Sequence, residues 1–230
     1  MNWLKSLWSQ LLSFGFHLLY HQLAPLYDAI SWMVSFGQWR AWQTAVLPFI
    51  DGEDVLELGH GPGHMLVRLR QEGYRVSGAD VSPQMSQLAR QHIRAAGIQA
   101  AIVRAPAQRL PLAAASYDTV LATFPTEYIA AEETLREAHR VLRENGCLVI
   151  LPQARLTGDA LPVRLLEGLY RITGQRVIPQ AADDPAAVLP LAATARRRFQ
   201  ECGFELRMEQ VDLPGSEVTI LILSKEKAKE

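Results

Sequence analysis

A glycine-rich segment and an aspartate further along the chain are the residues best suited to bind a ligand. The segment, residues 57–63, has the sequence ELGHGPG, and Asp80 follows its first glycine, Gly59, by 21 positions. Glycines let a backbone turn tightly and approach a ligand closely. A carboxylate at the end of a strand can accept hydrogen bonds from both hydroxyls of a ribose. The pair therefore predicts a nucleoside-binding site.

The spacing of the glycines indicates which nucleoside is bound. A dinucleotide site requires G-x-G-x-x-G, with a pyrophosphate at the helix N-terminus, whereas this loop is G-x-G-x-G. Glu57 stands two residues before the first glycine, where an acidic group suits a cation such as the aminium or sulfonium region of S-adenosylmethionine. An NAD-binding oxidoreductase stays open as the alternative.

The elements that position these residues alternate between strand and helix patterns. We predict a parallel α/β sheet that ends in an antiparallel hairpin around Pro214-Gly215, with helices on both faces. Helix signals include Ser82 as an N-cap, followed by Pro83. The predicted strands are 54–59, 74–79, 100–105, 118–124, 147–151, 204–213 and 217–224, and the predicted helices are 65–71, 82–96, 132–143 and 192–202.

Residues 1–50 differ in composition from the rest of the chain. They contain all five tryptophans and only three formally charged side chains. Apolar residues recur with helical periodicity over 4–26, and a second helix is predicted over 28–47, ending before Pro48. We predict a helical lid over the 51–230 domain. Peripheral membrane contact through residues 1–26 is the alternative, and polar residues interrupt the first helix too often for a transmembrane span.

The overall composition excludes several classes of protein. Lysine and arginine (23) balance aspartate and glutamate (24), so the broad positive charge of a nucleic-acid binder is missing and no nucleic-acid partner is predicted. Cys147 and Cys202 match no metal-ligand spacing, so no metal site is predicted, and a cytoplasmic location is expected. The oligomeric state cannot be predicted.

An ordered series of motifs resembles the class I S-adenosylmethionine-dependent methyltransferases, especially the branch that methylates small molecules, quinones and lipids (methyltransferase type 11-like). The motif-bearing segments are 55–63, 78–85, 107–112 with 116–120, and 137–148. The resemblance implies a Rossmann-like seven-stranded sheet, with S-adenosyl-L-methionine as cofactor and S-adenosyl-L-homocysteine as product. A cofactor-binding protein of the same fold without turnover stays open as a further alternative.

The resemblance also implies which residues bind the cofactor. Asp80 would hold the ribose, with Val81 and Met85 near the adenine. Pro106 stands where the family commonly has an acidic residue, so that contact passes to Gln108 or to the backbone of Ala107. The full predicted set is Tyr27, Glu57, Gly59, His60, Gly61, Gly63, Asp80, Val81, Met85, Ala107, Gln108 and Thr123. Two of these residues have a structural alternative. Tyr27 could be an aromatic wedge between helices, and His60 could be a spacer of which only the backbone serves the site.

The residues that bind the methyl acceptor are predicted in the loop at residues 123–128, which we call the acceptor side of the site. Glu127 is a candidate to bind a cationic or hydroxyl acceptor and Tyr128 to stack over it, although Glu127 could instead cap the next helix. His21, with His17 one turn before it, is a candidate base on the lid, and two solvated histidines are the alternative. In-line methyl transfer requires mainly orientation, so a catalytic residue need not exist.

A long insertion at residues 154–191, with a helical piece at 161–172, is predicted to cover the acceptor pocket together with the N-terminal helices. The aromatic content favours an apolar small-molecule acceptor such as a lipid, a quinone or a metabolite.

Overall fold

A computed structural model describes residue 32, residues 35–157 and residues 192–225. Several predictions lie outside these residues, namely Tyr27, His17, His21, the helix at 4–26 and most of the insertion at 154–191, including its helical piece.

Seven strands form one sheet in the order β3-β2-β1-β4-β5-β7-β6. The first five strands run parallel, and β7 pairs antiparallel with both β5 and β6. This arrangement confirms the predicted Rossmann-like sheet with its antiparallel C-terminal hairpin. The strands are β1 (Asp54–Leu58), β2 (Arg75–Asp80), β3 (Ala101–Arg104), β4 (Tyr117–Thr123), β5 (Leu142–Leu156), β6 (Phe204–Leu213) and β7 (Ser216–Lys225).

The described helices are α1 (Trp39–Thr44), α2 (His64–Gln71), α3 (Pro83–Ala95), α4 (Glu132–Val141) and α5 (Ala192–Glu201), with 3₁₀ turns at Leu47–Phe49 and Glu127–Ala130. The start of α3 follows the sequence prediction, because the Ser82 hydroxyl accepts a hydrogen bond from the Met85 N–H at 3.2 Å and Pro83 takes the first position.

Helices cover both faces of the sheet, as predicted. Alternate residues of β1 point to opposite faces. Leu56 packs in a core that includes Leu135 of α4 and Phe199 of α5. Val55 packs in a second core that includes residues of α1, α2 and α3, among them Leu66. The carboxyl ends of the parallel strands are thereby held at one edge between two rigid layers.

The predicted helix at 132–143 is too long and the predicted strand at 147–151 is too short. The helix ends at Val141, and β5 begins at Leu142, which pairs with Tyr117. The ladder then shifts register, and Asn145 adopts a φ of 63°. The Asn145-Gly146 pair, which we expected to end the helix, instead makes a bulge inside the strand.

The predicted continuous helix at 28–47 is interrupted. Phe36 and Gly37 have φ values of 51° and 80°, and the Gly37 N–H donates to the Trp32 carbonyl at 2.8 Å. Left-handed residues with a backbone hydrogen bond that spans five positions are typical of a helix C-terminus. A new helix, α1, begins at Trp39, and this break lets it pack against the sheet.

Residues of α1 belong to the core that covers β1. The Trp42 side chain is only 6% exposed, and its indole N–H donates to the Ser216 hydroxyl on β7 at 2.9 Å.

Among the described residues, no helix is both long enough and apolar enough to cross a membrane.

Candidate active site

A cavity of about 420 Å³ lies at the carboxyl ends of β1, β2 and β4. This volume is within the range of roughly 300–1,000 Å³ that is usual for small-molecule and cofactor sites. The place is the one expected for a ligand of an open α/β sheet. The lining residues are Gly59, Gly61, Ala79, Asp80, Val81, Ser82, Ala105, Ala107, Gln108, Thr123, Phe124, Pro125, Thr126 and Tyr128.

The Asp80 carboxylate is fixed by two backbone donors. Its Oδ2 accepts from the Gly61 N–H at 2.9 Å, and its Oδ1 accepts from the Ser82 N–H at 2.8 Å. A carboxylate has about four acceptor positions, so both oxygens keep capacity for a ligand. Asp80 is therefore preoriented to accept two hydroxyl hydrogen bonds in the cavity.

The glycine loop leaves space on one side and packs tightly on the other. Gly61, with a φ of 52°, has no atom within 4 Å of the position that a Cβ would take. At Gly63 an added Cβ would lie 2.8 Å from the Ala89 Cβ on α3. Gly61 thus leaves open space beside its Cα, whereas Gly63 permits the close contact between the loop and α3.

The Glu57 side chain is buried beneath this loop and is not part of the cavity lining. It is 1% exposed, and its Oε2 has no hydrogen-bond partner in the described part of the chain. Burial, and after it the Asp80 charge, raise its pKa well above the usual value, while a hydrogen bond with Thr123 acts in the opposite direction. Burial therefore favours the protonated form in this structure.

Replacing Glu57 with glutamine is expected to stabilise the protein at high pH. A raised pKa contributes stability that is complete below the unfolded value and is lost as pH rises toward the folded value. Glutamine cannot ionise, so the Tm difference between Glu57→Gln and the wild type should grow from pH 5 to pH 8. We expect a gain of about 3 °C or more at pH 8, which corresponds to ~1 kcal/mol in a domain of this size. Thermal unfolding over this pH range measures the difference.

The same variant tests the predicted role of Glu57 toward the cofactor. If the charged carboxylate pairs with the aminium group, Glu57→Gln should weaken S-adenosylhomocysteine binding about tenfold in calorimetry. A wild-type affinity would remove Glu57 from the set of cofactor residues. A Tm difference that does not change with pH would contradict the buried, protonated carboxyl.

The cavity brings together seven of the cofactor residues predicted from the sequence: Gly59, Gly61, Asp80, Val81, Ala107, Gln108 and Thr123. Glu57, His60, Gly63 and Met85 lie outside the lining. Met85 is fully buried in the core, and His60 is 4% exposed beneath the loop. Tyr27 lies outside the described residues.

On the side expected for adenine, the structure places Val81 and Gln108 at the solvent-exposed rim of the cavity, with Ala107 half-buried between strand and solvent. Pro106 is exposed and is not part of the lining. Its carbonyl accepts the Arg109 N–H at 3.0 Å, which turns the chain so that Ala107 and Gln108 face the cavity.

At the other end of the cavity, Phe124 adopts a φ of 49°, which is unusual for a residue with a side chain. Its ring stacks on Trp39 with centroids 4.3 Å apart. The preceding Thr123 accepts a hydrogen bond from the Gln43 amide at 3.2 Å. These α1 contacts could not be predicted from the sequence, because no local pattern links residues that lie 80 or more positions apart.

The two acceptor candidates of the same loop take different places. The Tyr128 hydroxyl donates to the Leu58 carbonyl at 3.2 Å and lies over Gly59, where an added Cβ would be 2.6 Å from it. Glu127 is exposed at the start of a 3₁₀ turn and outside the lining, and α4 has no side-chain cap. Only Tyr128 thus lines the cavity, and its hydroxyl is directed toward β1.

Several known proteins are similar in sequence to this chain. A sequence profile described as a methyltransferase domain matches residues 55–146. The demethylmenaquinone methyltransferase of Thermus thermophilus is 29% identical over 167 residues, 70% of this chain and 74% of the relative. The ubiquinone/menaquinone biosynthesis C-methyltransferase UbiE of Syntrophotalea carbinolica is 29% identical over 220 residues, 88% of this chain and 90% of the relative. The chain belongs to the class I S-adenosylmethionine-dependent methyltransferases.

The fold of this methyltransferase is shared with solved structures. A crystal structure of an S-adenosylmethionine-dependent methyltransferase from Thermotoga maritima superimposes with a TM-score of 0.59 at 18% identity, covering 92% of this chain and 99% of the other. The chain is an enzyme, and its cofactor is S-adenosylmethionine. The NAD-binding alternative has no support.

The residues present fit that cofactor. The anchored Asp80 carboxylate can accept from two hydroxyls, and Gly61 lines the cavity with open space beside its Cα. Both features match the ribose and the close backbone approach that an adenosyl group requires.

Proposed function

We propose that this methyltransferase methylates a ring carbon of a quinol-type acceptor, a small hydroxylated aromatic molecule with an apolar substituent. The relatives that support this proposal are named as a demethylmenaquinone methyltransferase and as a ubiquinone/menaquinone biosynthesis C-methyltransferase. The observation that carries it is the form of the cavity, which extends from Asp80 to an aromatic wall at Phe124, whose ring stacks on Trp39. A flat apolar ring suits such a wall.

We propose that Asp80 binds the ribose hydroxyls and that Val81, Ala107 and Gln108 flank the adenine. The backbone of Gly59 and Gly61 would then lie along the remainder of the cofactor. The predicted contacts of Tyr27, Glu57, His60, Gly63, Met85 and Thr123 stay predictions.

The protein's contribution to the reaction is orientation and exclusion of water. When bound, the cofactor would supply an electrophilic methyl group. An electron-rich ring carbon of the acceptor would bond to that methyl carbon as the sulfur–methyl bond breaks, and the proton displaced from the ring carbon would pass to water. Among the described lining residues, the ionisable side chains are Asp80 and Tyr128, and Asp80 is held by two backbone donors. We therefore propose that positioning, rather than a dedicated base from the described residues, provides most of the rate enhancement.

The acceptor assignment is tested with the purified full chain and S-adenosylmethionine that is radiolabelled in its methyl group. We would supply 1,4-naphthoquinol, its oxidised form 1,4-naphthoquinone, and phosphatidylethanolamine vesicles in separate reactions. Label in a C-methylated product of the quinol alone supports the proposal, since oxidation removes the electron density that attacks the methyl group. Label in the lipid amine would overturn it in favour of a lipid acceptor.

We also propose that residues 1–22 cover the acceptor side as a lid. Trp32 and Phe36, which follow this segment, are 67% and 47% exposed. Deleting residues 1–22 should lower turnover about tenfold, because an opened pocket admits water and orients the acceptor poorly. Steady-state kinetics on the quinol measure the loss.

Membrane-interface contact through residues 1–26 is the competing proposal for this segment, and it separates cleanly from the lid. If it is right, the same deletion should abolish flotation with liposomes and leave turnover on a water-soluble acceptor unchanged.

A further inference from the structure

The His60 ring makes one defined hydrogen bond from a buried position. Its Nδ1 lies 2.8 Å from the Gly61 carbonyl oxygen. A carbonyl only accepts, so Nδ1 carries the hydrogen and Nε2 is left as a bare acceptor. Among the described residues, Nε2 has no hydrogen-bond partner, and the side chain is only 4% exposed.

The Gly61 residue that this ring holds is also the one that holds Asp80. The Gly61 N–H donates to the Asp80 carboxylate at 2.9 Å, while the Gly61 carbonyl accepts from His60. The His60 carbonyl in turn accepts the Gly63 N–H at 2.9 Å. The N–H belongs to the His60–Gly61 peptide and the carbonyl to the Gly61–Pro62 peptide, so the two hydrogen bonds together hold both peptide planes beside the Gly61 Cα.

The fold provides the space for this ring at Gly78. This residue of β2 is paired with Glu57 in the sheet, and a Cβ added to it would lie 2.8 Å from the His60 Cδ2 and 3.0 Å from a Leu66 methyl group. The imidazole thus occupies the place that a side chain at position 78 would take.

We propose that His60 is a positioning residue: its ring holds the Gly61 carbonyl and thereby restricts rotation at the Gly61 Cα, which keeps the Gly61 N–H directed at the Asp80 carboxylate for the cofactor ribose. The ring itself does not contact the cofactor. The inference rests on the proposed ribose-binding role of Asp80.

The surroundings of the ring predict how protonation affects this arrangement. Burial lowers the pKa of His60. The Asp80 charge and hydrogen bonds with the backbone of Gly61 and of His60 itself oppose that shift, and the Arg90 charge on α3 adds to it. Glu57 is adjacent on β1, and on α2 the contact is the apolar Leu66. A proton on Nε2 would find no acceptor among the described groups, so acid should displace the buried ring from the Gly61 carbonyl and weaken ribose binding.

The experiment measures adenosine and S-adenosylhomocysteine binding by calorimetry at pH 7.5 and pH 5.5. His60→Ala should weaken both ligands about tenfold at pH 7.5, and by the same factor, because both contain the ribose. His60→Asn keeps an N–H donor near the Nδ1 position, so it should restore most of the affinity and abolish the additional weakening that the wild type shows at pH 5.5. His92→Gln is the matched control, since His92 contacts the same loop at the Pro62 carbonyl; it should retain the wild-type pH dependence.

A double-mutant cycle gives an independent readout. Gly78→Ala should weaken adenosine binding in the wild type by displacing the ring, and should have little further effect in His60→Ala, where the ring is gone. Equal effects in both backgrounds would overturn the inference, as would wild-type affinity of His60→Ala or an acid response that His60→Asn retains. If His60→Ala does not fold, His60→Asn alone decides. Unchanged adenosine binding in Asp80→Asn would instead refute the ribose assignment itself.

Discussion

Replacing Asp80 with asparagine is expected to weaken S-adenosylhomocysteine binding by about 100-fold or more and to leave the fold intact. Hydrogen bonds to a charged group contribute roughly 1.5–3 kcal/mol each, and two ribose hydroxyls would lose a charged acceptor. The amide also accepts on one atom only, so one of the bonds from Gly61 and Ser82 is lost as well. Titration calorimetry with S-adenosylhomocysteine measures the change.

A second acidic residue separates this effect from a general loss of charge. Asp212 is exposed on β6, away from the cavity lining, so Asp212→Asn should bind the ligand as the wild type does. NAD serves as a second ligand and should bind neither protein. If Asp80→Asn retains wild-type affinity while its thermal unfolding is normal, Asp80 does not bind the ribose. Asp80→Ala should give at least as large a loss.

The sheet and the position of the cavity could be predicted from the sequence because their signals are local. Each strand of the parallel sheet is a short apolar run followed by a turn, and the order of strand and helix then limits the topology to few choices. The loop after β1 and the aspartate after β2 are placed by that topology at the same edge. Capping by Ser82 was equally local, since an N-cap and its Met85 partner are three residues apart.

The residues that complete the site could not be predicted, because their contacts join distant segments. Trp39 is recognisable in the sequence only as an aromatic residue on a helix. Its stacking on Phe124 depends on the interruption of the helix at Phe36-Gly37, which directs α1 onto the sheet. Gly37 is a local signal for this interruption. The apolar periodicity on either side of it nevertheless favoured one continuous helix.

Burial of polar groups was the other property that the sequence did not show. His60 appears in the sequence as a loop residue with a free side chain, yet the missing side chain at Gly78 gives its ring a buried position. Glu57 alternates with Leu56 and Leu58 along β1, so its carboxyl points into the layer beneath the helices rather than into the cavity. Both effects depend on the pairing of β1 with β2, which no single segment specifies.

Replacing Trp42 with alanine is expected to destabilise the protein by about 3–5 kcal/mol, the usual cost of truncating a buried large aromatic side chain. Trp42 packs in the core beside β1, and its indole N–H donates to the Ser216 hydroxyl on β7. Truncation to alanine would therefore leave an empty space between α1 and the sheet. For a domain of this size, a loss of this magnitude corresponds to a Tm decrease on the order of 10 °C. Thermal and denaturant unfolding should agree on it.

Two further tryptophan variants make this prediction a test of where the lid ends. Trp42→Phe keeps most of the packing and loses one hydrogen bond, so it should cost about 1 kcal/mol. Trp32→Ala removes a side chain that is 67% exposed and should change stability by less than about 0.5 kcal/mol. If all three variants are equally mild, residues 39–50 act as a separable lid with the domain boundary at residue 50. The expected order, with Trp42→Ala far more severe, would instead place α1 in the methyltransferase domain and move the boundary toward the N-terminus.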